Sequence, residues 1–518
     1  MNSQTIQRIE DVKVLKERQF VEDASPMRHP IQPKSYISMN NFYTATVYEK
    51  GAEVIRMLYT LLGEKKFFDA MQIYFDRFDG KAVTTDDFLS CMQEVTDIDL
   101  SQFKLWYDQS GTPKLVVKES FKENEFVVEF MQEIPKTLDG KEQKPMMYPL
   151  NVALFDADGA LLEEKQLLIT KQSETISFGS FQQKPILSLN RNFSAPIILE
   201  QKEQNFSFLA AYETDGFSRY EACMEYAKQT IQKIYDTDEI DTKYLKFYSD
   251  LLDSQQEDLL FFALLLELPT INELIQNKKD IDIQKYHQSK EKLALTLAQQ
   301  NEAKLKDLYK TYHQPQNNTL TKEAKGARAI KNYALMMLGY LKTDEIYNLA
   351  KKQYEESLNM GDKLTALKVA DSIDHQKAGV LFDDFYQKYK DNSLLMVKYF
   401  AILASLDHED IFPRLEDLEN TEAFDIKVPN LVRGLFGAFS RNLAFFHTPK
   451  GYEYIAQKVI ALDTINPQIA SSLANSFRLY PKLQEENQKV IKDILEKVLQ
   501  KEDISSNTYE VVSKILKG

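Results

Sequence analysis

Apolar residues recur along the chain at two spacings, and the spacing changes twice. From residue 1 to about 112 they fall three or four apart, the period of an amphipathic helix. Ile6, Ile9 and Val12 make a first stripe. A loop marked by Pro26, Pro30 and Pro33 follows. The stretch Met39 to Leu58, MNNFYTATVYEKGAEVIRML, begins as a polar, aromatic-rich loop and becomes a helix, with Tyr43 and Tyr48 flanking the change. Gly63 ends that helix, and EKKFFDAMQIYFDRF starts another with Phe67, Met71, Tyr74 and Phe75 along one face. Thr84 or Thr85 ahead of Asp86 and Asp87 has the form of a helix start. Asp99 can cap a further short helix, LSQFKLWYDQS, which Gly111 and Pro113 stop.

After Pro113 the period drops to two. KLVVKES, NEFVVEFMQEI, YPLNVALFDADGALLEEKQLLI, ETISF and KPILSLN are short, rich in β-branched and aromatic residues, and separated by turn residues. Asp156-Ala157-Asp158-Gly159 sits between two such runs and reads as a hairpin turn. This block predicts a small β-sandwich whose strands each bury one face. From about Asn205 onward helical segments of ten to twenty residues succeed one another, among them RYEACMEYAKQTIQKIY, KEKLALTLAQQNEAKLKDLYKTY and KVIKDILEKVLQ. Paired helices over that length predict an α-solenoid-like stack, although no clean repeat period is visible. The expected architecture is therefore multidomain and mainly α, with boundaries at 1–112, 113–204 and 205–518.

Composition narrows the class. The 518 residues carry a net charge of −14, which argues against nucleic-acid binding and against anionic membrane surfaces. Cys91 and Cys223 stand far apart and read as small apolar residues on helices, which excludes a disulfide framework and a cysteine zinc site. The start lacks a signal-peptide pattern and no stretch has the length of a membrane span, so a cytoplasmic protein is expected.

The six histidines are His29, His287, His313, His375, His408 and His447, and no two stand four apart. A helical HExxH zinc site needs that spacing, so that both imidazoles face one way with a glutamate between them to activate water. His408-Glu409 continues with Asp410-Ile411-Phe412 and fails it. A phosphate-binding glycine loop and a nucleophile elbow are also missing. The tyrosines remain. A phenol keeps its proton near neutral pH and can donate a hydrogen bond to an oxyanion forming on a carbonyl. In a dry cleft such donation is worth about 3–4 kcal/mol. Asn40 and Asn41 add polar side chains nearby, although Asn40 can equally bond the backbone of its own turn. Packing of both tyrosines in an amphipathic helix is the alternative that periodicity leaves open.

Three stretches carry a resemblance: Glu22-Asp23-Ala24-Ser25-Pro26, then MNNFYTATVYEKGAEVIRML, then WYDQSGTP at 106–113. Together they resemble the aminopeptidase N family of zinc metallopeptidases, in its bacterial alanyl-aminopeptidase branch. DGFSRYEA at 215–222 and PNLVRGLFGAF at 429–439 resemble parts of that family's helical domain.

The resemblance implies the C-terminal helical part of a thermolysin-like catalytic domain, an Ig-like β-sandwich and a large helical domain. It implies zinc-dependent release of N-terminal amino acids from peptides. Tyr48, in VYEKG, matches the tyrosine that stabilises the tetrahedral intermediate. Asn40 and Tyr43 match the same active-site wall. Arg433 matches an arginine facing the substrate chamber, with a surface or ion-paired arginine as the alternative; Arg478 matches less well. The family's HExxH, its third zinc ligand and its GAMEN-type loop are absent from these residues. The expectation is that the chain alone binds no catalytic zinc and is inactive. Two alternatives are a subunit that complements a separate zinc-bearing chain, and a non-catalytic module that binds peptides or a protein. Loss of part of a catalytic domain also predicts an exposed apolar surface near residues 1–60.

Overall fold

The computed structural model describes residues 4–25, 28–34, 44–201, 204–254, 257–275 and 278–517. Two compact units divide the chain, residues 2–226 and residues 227–518.

The first unit opens with α1 (Gln4–Val14), which buries the predicted stripe of Ile6, Ile9 and Val12. It runs directly into a π-helical turn, Leu15–Gln19, and then α2 (Phe20–Asp23). A second π-helical turn, Thr46–Lys50, leads into α3 (Gly51–Leu62). Val54, Met57, Leu58 and Leu62 form the buried stripe of α3, the helical spacing expected of a core-facing helix. Gly63, with φ at 77°, ends α3 in a conformation a side chain would resist.

α4 (Glu64–Phe78) departs from its pattern, because its buried residues are Phe67 and Ala70. Met71 and Tyr74 are half-buried, whereas Phe68 and Phe75 stand 57% and 55% exposed. The apolar face of α4 is thus wider than the core it meets. α5 (Thr85–Gln93) starts at Thr84, whose hydroxyl accepts from Asp87 N while Asp87 accepts from Thr84 N in return, a complete capping box. The helix expected after Asp99 shrinks to the single turn α6 (Leu105–Asp108).

The sandwich comprises β1 (Lys114–Lys122), β2 (Glu125–Glu133), β3 (Tyr148–Phe155), β4 (Leu161–Ile169), β5 (Ser173–Ser180), β6 (Ile186–Leu189) and β7 (Ile198–Gln201). One sheet has the order β5-β2-β1-β7 and the other β4-β3-β6. The predicted hairpin turn closes β3 on β4: Asp156 N donates to Ala160 O at 3.0 Å and Gly159 takes φ of 91°. β3 does not alternate; all but one of its residues are buried. It is the middle strand of its sheet and α3 packs on it. β7 was not anticipated; it pairs in parallel with β1. Met57 and Leu58 of α3, Trp106 of α6 and Val117, Phe130 and Leu150 of the strands join one core. Helices and sandwich here are therefore one folded body. α7 (Phe206–Tyr212) and α8 (Gly216–Thr237) follow, and the division between units falls inside α8.

The second unit is helical from Thr242–Asp253 to Ser506–Lys517. Its helix starts are written in the sequence. Asp258, Asp282, Thr321, Thr343 and Asn392 each accept a first-turn N–H with the side chain. Helix Lys322–Gly339 packs on Leu259–Leu266 and on Met360–Ile373, which also packs on Asp344–Glu356. Such neighbour-on-neighbour packing makes the α-solenoid-like stack. The stretch KEKLALTLAQQNEAKLKDLYKTY breaks into Ile283–Gln300 and Glu302–Tyr312 at Asn301, whose backbone (φ −116°, ψ 19°) leaves the helical region. Cys91 and Cys223 are both buried and free, and burial pushes the Cys223 thiol up to about 12. Among the described residues no helix is long and apolar enough to cross a membrane.

Candidate active site

Tyr48 lies at the centre of the second π-helical turn. Gly51 N donates to Thr46 O, five residues back, which is the hydrogen bond that defines such a turn. π-helical turns are rare and concentrate at functional sites, because the extra residue shifts the side chains that follow. The first π-helical turn has the same signature, Phe20 N to Leu15 O, and packs against the second. Tyr48 itself is 58% exposed, in contrast to the buried Thr46 and Lys50 at the two ends of its turn.

Each end is held by one of two adjacent carboxylates. Glu22 Oε1 accepts from Thr46 N at 2.9 Å and from Thr46 Oγ1 at 2.5 Å. Gln19 Nε2 donates to Thr46 Oγ1 at 3.4 Å from the first π-helical turn. Asp23 Oδ2 accepts from Lys50 Nζ at 2.9 Å, with both side chains about 1% exposed. Asp23 also accepts from Thr112 Oγ1 at 3.0 Å and from Gly111 N at 3.3 Å. Lys50 Nζ returns a bond to Gly111 O at 3.0 Å and lies 5.9 Å from the Trp106 ring. A buried charge pair needs further polar partners to offset its desolvation, and both members of this one have them. Gly111 takes φ of 88°, and a Cβ there would stand 3.0 Å from Pro135, so a side chain at this position would be strained and crowded.

A second buried pair fixes the helix behind the turn. Arg8 of α1 donates to both oxygens of Glu53 in α3, at 2.6 and 2.5 Å. The same guanidinium reaches Phe193 O at 3.1 Å and Asn192 O at 3.3 Å. Burial, and Arg8 beside it, pull Arg56 down to about 10.

Of the residues predicted from sequence, Asn40 and Tyr43 lie outside the described residues. Arg433 belongs to the second unit, on helix Pro429–Phe439, where it is exposed and its Nη1 donates to Asn430 Oδ1 at 3.1 Å. Glu22, Asp23 and Lys50 were not singled out, although all three stand in the motifs that carried the resemblance.

Those motifs are far apart in sequence and meet here. EDASP supplies the two carboxylates, TVYEKG the turn, and WYDQSGTP the loop that closes over Asp23. The comparisons with known proteins agree. A model of the peptidase family M1 domain matches residues 2–107. An Ig-like domain of unknown function, DUF3458, matches 111–202, and its companion DUF3458_C, described as ARM repeats, matches 203–517. The chain belongs to the aminopeptidase N family. It is 34% identical to the aminopeptidase N of Haemophilus influenzae over 99% of this chain and 61% of that protein. For the aminopeptidase N of Escherichia coli K12 the values are 33%, 100% and 62%. A crystal structure of Legionella pneumophila aminopeptidase A in complex with aspartic acid superposes with a TM-score of 0.83 at 25% identity. It covers 94% of this chain and 58% of that one. The chain thus spans about three fifths of the length of the aminopeptidase N relatives it matches.

Among the described residues, no set of possible metal ligands gathers around Tyr48. Glu22 and Asp23 already accept from Thr46, Lys50, Thr112 and Gly111. His29 Nδ1 contacts Pro30 O at 2.7 Å, and its Nε2 lies 3.8 Å from Glu22. Among the described residues, one trio of possible ligands comes within 4.8 Å: His287, Glu291 and Asp407, in the second unit. It is a partly exposed ion-pair cluster in which His287 Nε2 contacts Asp407 at 2.9 Å, and it lacks the HExxH spacing.

Proposed function

We propose that these residues form the tyrosine wall of a zinc aminopeptidase that releases N-terminal amino acids from peptides in the cytoplasm. Tyr48 donates its phenol hydrogen to the carbonyl oxygen of the scissile bond as charge develops there. Asn40 and Tyr43 line the same wall, and Arg433 binds substrate from the helical domain. The division 1–112, 113–204 and 205–518 separates catalytic, sandwich and helical parts. Zinc ligands come from residues outside these 518, on the same chain or a separate one.

One observation carries this reading: an exposed phenol on a π-helical turn whose two ends are pinned by polar contacts, part-buried at Thr46 and buried at Lys50. Stabilisation of an oxyanion depends on a donor placed before the reaction, so that no reorganisation is needed as charge forms. The exposed rings of Phe68 and Phe75 on α4 favour assembly with further polypeptide over a free-standing binding module.

The test uses the purified 518-residue chain with zinc and a chromogenic amino-acid amide. Alone it gives no turnover. Co-expressed with an HExxH-bearing chain of a relative, it co-elutes and turns over substrate. Turnover by the chain alone that disappears in Tyr48→Phe refutes the expected inactivity. Failure to co-elute sinks the complementation.

A further inference from the structure

We infer that Glu22 and Asp23 are positioning residues for Tyr48, and that the entry to the β-sandwich takes part in holding it. The inference rests on the reading of Tyr48 as the donor, and it names what sets the donor's position.

The five residues of the turn, Thr46 to Lys50, are gripped at the first and last positions by consecutive acids. Glu22 holds the Thr46 end through backbone N–H and hydroxyl together, which fixes both the main chain and the χ1 of Thr46. Asp23 holds the Lys50 end through a charge pair sealed from water. Because Glu22 and Asp23 are neighbours at the end of α2, a movement of one end of the turn is resisted by the anchor of the other. Gly111 and Thr112 lie just before β1, so the same carboxylate that binds Lys50 binds the strand entry. The phenol is exposed, yet the backbone on both sides of it is tied to α2 and to the sandwich. A π-helical turn has fewer well-aligned internal bonds than an α-helix and persists where surrounding contacts determine it. Here those contacts are named and close.

The experiment places a single 3-fluorotyrosine at position 48 of the full chain and reads its 19F NMR signal. Glu22→Gln and Thr46→Val each displace and broaden the signal, while Glu94→Gln, at an exposed pair just past the end of α5, leaves it in place. Unchanged signals in both folded variants overturn the role of Glu22. Asp23→Asn leaves Lys50 unpaired and destabilises the chain, so the double variant Asp23→Asn, Lys50→Gln is read beside it. The double variant regains melting temperature while the signal stays displaced. A signal at the wild-type position in the double variant overturns the role of Asp23. The fluorine signal is read without turnover. If Tyr48→Phe leaves an assembled, zinc-loaded enzyme fully active, the catalytic reading fails and the positioning result still stands.

Discussion

Among the described residues, two lysine–aspartate pairs are fully buried, one in each unit of this protein. Lys50 and Asp23 lie 2.9 Å apart in the first, and Lys331 and Asp362 lie 2.6 Å apart in the second. Both aspartates take further donors. Asp23 binds Thr112 and Gly111, and Asp362 binds Asn332 at 2.8 Å. The difference is in what they join. Lys331, Asn332 and Asp362 lie on helices of one local stack. Asp23, Lys50 and Gly111 come from segments 27 and 88 residues apart, and Lys50 is two residues from an exposed phenol. A buried ion pair is therefore not in itself the sign of a site. What sets the first pair apart is that it anchors a rare backbone turn carrying an exposed tyrosine.

The sharpest way to test this contrast is to strip the acid from each pair. Asp23→Ala leaves Lys50 buried without its counter-charge and costs about 3–5 kcal/mol. The chain has a single tryptophan, Trp106, which packs beside Lys50, so urea unfolding followed by its fluorescence reads this loss locally. Asp362→Ala costs a comparable amount by far-UV circular dichroism, yet leaves the fluorine signal at position 48 where it was. Movement of that signal in Asp362→Ala would erase the distinction between the two pairs.

Next in size is Tyr48→Phe. In an assembled, zinc-loaded enzyme the loss of one oxyanion donor lowers kcat about 10²–10³-fold, or about 3–4 kcal/mol. The same change leaves the Trp106 unfolding curve within about 0.5 kcal/mol of wild type, because the ring is exposed. Equal losses of rate and stability would mean that Tyr48 is a packing residue after all.

The second unit also carries a buried group that gives stability a pH signature. His447 is 6% exposed, its Nδ1 lies 3.1 Å from Tyr452 Oη, and burial pulls it down to about 3. A histidine whose folded value lies below its ordinary 6.5 is held neutral by the fold. Between those values the unfolded chain binds the extra proton, so stability is full above about 6.5 and falls as pH drops. The slope approaches about 1.4 kcal/mol per pH unit, which gives a loss of about 2 kcal/mol at pH 5. Chemical unfolding at pH 7 and pH 5 checks it: in His447→Phe the difference between the two shrinks by about that amount. An unchanged difference would mean that another group carries the acid sensitivity.

What was legible in the sequence follows the range of the interactions. Strands β1, β2 and β4 and the Asp156–Gly159 turn are local patterns and were readable. β7 was not, because a four-residue strand that pairs in parallel with β1 has no hairpin to announce it. The break at Asn301 was hidden because residues on both sides keep helical periodicity. Tyr48 was visible as an aromatic at a loop-to-helix junction. Its braces were not, since Glu22 meets Thr46 across 24 residues and Asp23 meets Thr112 across 89. Pairing over such distances is a property of the fold and leaves no periodic trace.

The smallest predicted effect concerns exposed aromatics that lack such bracing. Phe68 and Phe75 are about as exposed as Tyr48, at 57%, 55% and 58%. They stand on the regular helix α4, seven residues apart, so both rings emerge on one side. Phe68 meets Tyr59 edge-on with centroids 6.4 Å apart, and Phe75 meets Tyr74 at 5.8 Å. These are surface ring contacts, while Phe67 supplies the buried ring of the same helix. Phe68→Ser and Phe75→Ser should each shift the Trp106 unfolding free energy by no more than about 0.5 kcal/mol, and leave the fluorine signal at position 48 unmoved. A larger shift would mean that this face already packs within the chain. Exposure alone would then rank the three rings wrongly, and the polar grip at Thr46 and Lys50 would remain the feature that sets Tyr48 apart.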